Sequence, residues 1–223
     1  MKGYAKVGAE DLAYFEEVMP GRVLSGAEEM SDYEHDEMTI YGLYRPEAVL
    51  LAQSAEEISA VMRHCNARRI AVTPRGAGTG LCGGCVATAG GIVLSTERMK
   101  RVLEVDGKNM TATVEPGVLL MEFPKALEGT GLFYPPDPGE KTATMGGNAM
   151  TNAGGMRAVR YGVTRDYVLG MEVVLASGEI LTLGGKNVKT SSGYSLLDLM
   201  VGSEGTLGIL TKLTVKLIPE PGA

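Results

Sequence analysis

The chain has 223 residues, enough to bury a sizeable core as one large domain or as two small lobes. A formal net charge of -6, no Trp and no Lys/Arg block exclude a broad nucleic-acid-binding surface, and an apolar share of 44% excludes disorder. No apolar run approaches the length of a membrane helix and residues 1–9 lack the apolar core of a signal peptide, so no transmembrane segment and a cytoplasmic location are expected.

In chain order, residues 10–19 read as a short amphipathic helix stopped by Pro20-Gly21. Residues 31–44 are acidic and irregular. Residues 48–52 form an apolar run of strand length. Ser54, with Glu57 three residues on, reads as a capping box that opens a helix carrying Ile58, Val61, Met62 and Cys65 at helical spacing. Residues 70–73 are a buried strand, and strand–helix–strand favours a parallel pair with a crossover. Residues 91–95 are a further strand. After this the pattern changes. Strands at 102–105 and 111–115 flank the turn signal Asp106-Gly107-Lys108-Asn109. Residues 118–127 read as a helix, with Gly129 and Gly131 beyond its end. Residues 167–176 and 179–183 form a second hairpin around Ser177-Gly178. Residues 207–217 are a long final strand, with Leu213, Val215 and Leu217 on one face and Lys212, Thr214 and Lys216 on the other. The expected class is α+β: a small parallel α/β lobe over 1–98 and a larger, mainly antiparallel lobe over 99–219.

Cysteine and glycine are the informative residue types. Cys65, Cys82 and Cys85 are too few and odd in number for a disulfide framework. Cys82 and Cys85 form a CxxC, but a structural zinc would need a second pair or nearby histidines, and the chain has only His35 and His64. Two small residues fitting a tight loop is the preferred reading, and no metal site is expected. The 31 glycines are about twice the usual share of roughly 7% and gather in three segments, as loops do where backbone approaches a ligand closely.

The first segment is Pro74-Arg75-Gly76-Ala77-Gly78-Thr79-Gly80, directly after a strand. Its glycines let successive N–H groups turn toward one anion, although it is neither a Walker loop nor the dinucleotide fingerprint, because no Lys-Ser/Thr and no helix follow. A purely structural turn is the competing reading. The second runs from Pro135 to Gly155, PPDPGEKTATMGGNAMTNAGG, and mixes hydroxyl and amide groups with bare backbone. Asn152 there also reads as a local cap. The third is Val201-Gly202-Ser203-Glu204-Gly205-Thr206-Leu207-Gly208-Ile209, leading into the last strand.

Together PRGAGTGL, DPGEKTATMGGNAMTNAGG, RYG and GSEGTLGI resemble, in order and spacing, the FAD-linked oxidases of the vanillyl-alcohol oxidase superfamily, most of all the group of glycolate oxidase D subunits and D-lactate dehydrogenases. The resemblance runs from about residue 44 to residue 219. It implies a two-lobed FAD-binding domain (the PCMH type) with FAD extended between the lobes. It places Arg75, Gly76, Ala77, Gly78, Thr79 and Gly80, flanked by Pro74 and Leu81, around the FAD pyrophosphate. It places Pro138, Thr142, Thr144, Gly146, Gly147, Asn148, Asn152 and Gly155, with Tyr161 and Gly162 of the RYG motif, along the ribityl chain and flavin ring. Glu204, Gly205 and Ile209 match contacts at the start of the final strand. Some relatives attach flavin through a His in the first loop. Thr79 holds that place here, so non-covalent FAD is expected. Cys82 stands where Ser is usual.

The resemblance further implies oxidation of a small 2-hydroxy acid of the glycolate or D-lactate class to the 2-oxo acid, by hydride transfer to flavin N5. Electrons would then pass to an electron-transferring flavoprotein, an iron–sulfur subunit or a quinone. Family members continue into a cap domain that supplies the substrate residues. This sequence stops at residues 220–223, which read as the start of a linker to it, so no catalytic residue is assigned here. The alternative is a flavin-binding electron-transfer module without substrate chemistry of its own. A nucleotide-sugar reductase, a molybdenum-hydroxylase FAD subunit and a nicotinamide-dependent dehydrogenase fit the motifs less well. The substrate, electron acceptor and oligomeric state are not legible in these residues.

Overall fold

The structure is a computed structural model that describes residues 3–221. Met1 and Lys2 of the N-terminal stretch, and Gly222 and Ala223 of the expected linker, lie outside the described residues. The first half carries α1 (Ala9–Val18), β1 (Val23–Leu24), β2 (Ala48–Leu51), α2 (Ala55–Arg68), β3 (Val72–Arg75) and β4 (Ile92–Ser95), with two 3-10 turns in the acidic stretch. The second half carries β5 (Val102–Asp106), β6 (Thr111–Val114), β7 (Leu132–Phe133), α3 (Met145–Thr151), α4 (Ala158–Tyr161), β8 (Val168–Val174), β9 (Ile180–Gly184), α5 (Leu196–Met200), β10 (Ile209–Lys216) and β11 (Ile218–Pro219).

The first sheet has the order β1-β2-β4-β3. β2 and β3 both run parallel to β4, which lies between them, so the expected parallel pair is split by a third strand. β3 also starts two residues later than expected. Arg69 takes a left-handed conformation (φ 57°) to end α2, and the Ile70 N–H still returns to Cys65, so the strand cannot begin there. Pro74 is tolerated because β3 is an edge strand. At the other end of α2, Ser54 accepts from the Glu57 N–H at 3.2 Å, as a cap should. The Glu57 carboxylate goes elsewhere than in a capping box: it accepts from the Gln53 N–H and pairs with Arg22.

The second sheet is antiparallel throughout, in the order β5-β6-β10-β8-β9. Leu213, Val215 and Leu217 are fully buried against Phe123, Met145 and Ala149, while Lys212 and Lys216 point to solvent. Residues 118–127 are not a helix. Leu120 donates to the Ala143 carbonyl and Leu119 bridges Thr144, so this stretch pairs with the second glycine segment, and a 3-10 turn (Phe123–Leu127) follows, with Pro124 in its first turn. Cross-chain pairing wins because Pro124 has no N–H to continue a helix. The two halves share a core: Val174 and Ile209 from the antiparallel sheet pack with Ile58, Val61, Ile92 and Leu94.

The α1–α2 contact has one charged centre. Asp11 is fully buried and accepts from the Gly8 N–H at 2.9 Å, from His64 Nε2 at 2.8 Å and from Arg68 Nη2 at 3.5 Å, with Arg68 Nε at ion-pair distance (3.1 Å) and Tyr14 stacked on His64. Burial pushes the Asp11 carboxyl up, but these donors together outweigh it and hold it below the usual carboxylate value. A depressed folded-state pKa contributes stability above the unfolded value of about 4 that is lost as pH falls through the folded one. Asp11→Asn should therefore melt below wild type at pH 7, and the gap should narrow below about pH 4, as read by thermal unfolding across pH.

Candidate functional site

Three segments distant in sequence meet where the two sheets face each other. The first loop leaves the end of β3, α3 lies across from it, and the start of β10 closes the side. The cleft between them has a volume of about 500 Å³, within the range of roughly 300–1,000 Å³ usual for small-molecule and cofactor sites.

The first loop is braced from behind by an unusual arginine. Arg75 is 7% exposed, and its guanidinium is held by upstream backbone carbonyls beneath the loop. Its Nη1 donates to the His35 carbonyl at 2.7 Å and to Cys85 Sγ at 3.4 Å, and its Nη2 donates to the Asp32 carbonyl at 2.7 Å. No carboxylate pairs with it among the described residues. Gly78 has a φ of 78°, and a Cβ there would overlap the guanidinium. The loop thus wraps a buried cation, and its own backbone is left free. Among the described residues, no acceptor takes the N–H groups of residues 76–82. A row of unpaired backbone donors over a buried positive charge is what an anionic group would seat against.

The second segment is not all loop. Residues 145–151 form α3, capped by Thr144, whose side chain accepts from the Gly147 N–H at 3.0 Å. Met145 donates to Val118 and Gly146 to Pro116, so the first turn of α3 is closed by protein and leaves an anion to the first loop. A Cβ on Gly76 would sit 2.5 Å from Thr144 Oγ1, which packs the loop directly against this cap. Asn148 is 4% exposed, lines the cleft, and its Nδ2 has no hydrogen-bond partner in the protein. A buried amide without a partner is costly, so this donor marks a place for an acceptor on a bound group. Asn152 ends α3 in a left-handed turn (φ 50°) and its Oδ1 accepts from the Arg165 N–H; it is both a cap and part of the lining.

The third segment turns on Glu204 (φ 52°) and Gly205 (φ 77°), where a Cβ on Gly205 would press on Pro74. Ile209, buried, begins β10 at the floor of the cleft.

Most of the residues singled out from the sequence meet in this one cleft: Pro74, Arg75, Gly76, Ala77, Gly78, Thr79, Gly80, Leu81, Pro138, Thr144, Gly146, Gly147, Asn148, Asn152, Glu204, Gly205 and Ile209. Thr142, Gly155, Tyr161 and Gly162 are not on its lining, and each has a local task. Thr142 donates to Glu140 in its own turn. Gly155 is forced by the Asp137 carbonyl, which leaves no room for a Cβ. Gly162 adopts φ 87° over the Asp166 carboxylate, and Tyr161 packs edge-on to Phe133. The lining also holds Cys82, Gly84, Cys85, Thr96, Pro116, Glu140, Met150, Thr151 and Gly208, which the motif reading did not assign. Among these, Glu140, Met150, Thr151 and Gly208 lie within the second and third glycine segments and the cysteines form the CxxC, while Thr96 and Pro116 carried no signal in the sequence. Neither His35 nor His64 lines the cleft. Among the described residues there is no cluster of three metal-ligating side chains, and no helix is long and apolar enough to cross a membrane.

The cleft is set between a mixed and an antiparallel sheet and lined by free amides, a site suited to an extended anionic cofactor, and the class of protein is a flavoprotein domain. The chain belongs to the FAD binding domain family, which it matches over residues 46–184, and its cofactor is FAD. It is 56% identical over 218 residues to a D-lactate dehydrogenase of Anaerostipes hadrus, covering 98% of this chain and 46% of that protein. It is 52% identical over 177 residues to glycolate oxidase subunit GlcD of Bacillus subtilis, covering 79% of this chain and 38% of that protein. The chain thus spans about half the length of these relatives, or less. Its fold matches p-cresol methylhydroxylase with a TM-score of 0.85 at 23% identity, over 96% of this chain and 44% of that one. It also matches 4-ethylphenol oxidase from Gulosibacter chungangensis with a TM-score of 0.78 at 25% identity, over 100% of this chain and 45% of that one. These relatives and neighbours accord with the resemblance to the vanillyl-alcohol oxidase superfamily, and the α+β class with its parallel and antiparallel sheets is the fold they share.

Proposed function

We propose that the chain holds FAD non-covalently in this cleft, as the cofactor domain of a dehydrogenase that oxidises a small 2-hydroxy acid of the glycolate or D-lactate class. The observation that carries the reading is the pairing, in one cleft, of the free N–H row of residues 76–82 with the unpartnered amide of Asn148. FAD, when bound, supplies a two-electron acceptor for the substrate's hydride. In this chain the backbone donors of the first loop would hold its diphosphate, with Arg75 fixing the loop's shape from beneath. Asn148, Thr144 and the start of β10 would hold the rest. Thr79 stands in the first loop where a linking His would be, and neither histidine lines the cleft, which supports a non-covalent cofactor. The lobes would divide as residues 1–98 and 99–219. The substrate-binding groups and the path to an external acceptor, whether an electron-transferring flavoprotein, an iron–sulfur subunit or a quinone, belong to the complete protein, which is read as cytoplasmic.

The test is the visible spectrum of the purified chain, with added FAD, before and after acid precipitation. Flavin absorbance that moves to the supernatant is expected. Colour retained in the pellet would overturn the non-covalent reading, and a chain that takes up no FAD would overturn the site. In the longer protein, anaerobic bleaching by D-lactate or glycolate is expected. Flavin that no 2-hydroxy acid reduces would point instead to an electron-transfer module.

A further inference from the structure

Cys82 and Cys85 lie on the lining of the cleft, at the far end of the first loop, and beyond the contact of Cys85 with Arg75 no role assigned above uses them. Cys82 is exposed and Cys85 is partly buried, both as free thiols. Cys85 Sγ is within reach of the Arg75 guanidinium, at 3.4 Å. The two residues between them are glycines, with Gly83 at φ 76°, so the turn bends without a side chain in its way. That turn is gripped on both sides: the Gly83 N–H donates to Asp36 at 2.6 Å, and Gly84 lies so close to the Glu204 carboxylate that a Cβ would overlap it. A metal is not the use of this pair, because no further His, Cys, Asp or Glu completes a set among the described residues. Two thiols three residues apart, one open to solvent and one held beside a buried cation, fit a dithiol–disulfide couple instead.

We propose that Cys82 and Cys85 form a reversible disulfide within the loop, and that its closure weakens the cleft's hold on FAD. The oxidant is hydrogen peroxide. The Cys82 thiolate attacks the peroxide oxygen, the O–O bond breaks, and a sulfenic acid and hydroxide form. The Cys85 sulfur then attacks the Cys82 sulfur, the S–O bond breaks, and water leaves with the Cys85 proton. Two electrons have passed from the sulfurs to peroxide, and a dithiol reductant reverses the change. Burial raises the Cys85 thiol above its usual pKa, while the guanidinium opposes this, which suits the second role and leaves first attack to Cys82. Closing the bond draws Cys85 off Arg75 and re-aims Gly83 and Gly84 between Asp36 and Glu204, so the free amides lose their common alignment.

The effect on FAD rests on the site proposed above, and the disulfide does not, so the test reads them separately. Trypsin yields one peptide, residues 76–98, that carries both thiols and no other cysteine. After one equivalent of hydrogen peroxide, that peptide should lose two hydrogens in mass in wild type, regain them with dithiothreitol, and show no such loss in Cys82→Ser. FAD titration should show about tenfold weaker binding by the oxidised chain, restored on reduction. A peptide that never loses two hydrogens, or a complete disulfide that leaves FAD affinity unchanged, overturns the proposal. A reduced chain that binds no FAD refutes the site, and with it the regulatory effect, while the mass still decides the disulfide.

Discussion

Arg75→Met should lower both the melting temperature and FAD affinity, the latter by about a hundredfold. The guanidinium is the donor for the Asp32 and His35 carbonyls, and Met supplies none. Asp32 is exposed and His35 half-buried, so water replaces part of the lost donation, and the two hydrogen bonds together should cost about 1–2 kcal/mol. The cofactor effect is separate from that loss. With the cation gone, nothing fixes the curve of residues 76–78 around it, and a bound diphosphate loses the positive charge behind the amides. Arg75→Lys should recover little, because one ammonium cannot reach two carbonyls and a sulfur as the planar fork does. FAD titration by flavin fluorescence, below the melting temperature of each variant, checks this. Wild-type affinity in a folded Arg75→Met would mean that the loop keeps its shape unaided.

This arginine also shows where a sequence stops being legible. PRGAGTG marks a loop with donors to spare, but that its Arg is held in place depends on carbonyls about forty residues upstream, in a stretch with no pattern of its own. The main architecture was readable because it rests on local signals: the Ser54 cap, the Asp106 turn, and the alternation of Leu213, Val215 and Leu217 with lysines. α3 was hidden because Gly146, Gly147 and Thr151 disfavour helix, and the helix stands on its Thr144 cap and on the burial of Met145, Ala149 and Met150. The reverse holds at residues 118–127, where a helical pattern lost to pairing with the second segment. β1, β7 and β11 are two-residue strands, too short to carry any period. The RYG motif lies beside the cleft and off its lining: Gly162 is needed for its left-handed turn over the Asp166 carboxylate.

A sharper division among the glycines follows from what stands beside each one. Gly76→Ala should weaken FAD binding by about tenfold and cost about 1 kcal/mol of stability. Its new methyl would lie 2.5 Å from Thr144 Oγ1, and the hydroxyl has to leave the Gly147 N–H to make room. The lost cap loosens the first turn of α3, where Asn148 presents its unpartnered amide. Gly139→Ala, in the same glycine-rich surroundings, should change affinity by less than about threefold. A Cβ there meets nothing within 4 Å, the residue is exposed, and it lies off the cleft lining. Fluorescence titration with FAD and thermal melting of the two variants side by side decide the matter. Equal losses would mean that glycine content matters only as flexibility. A loss confined to Gly76 would mean that the first loop and the cap of α3 act on the cofactor as one packed unit.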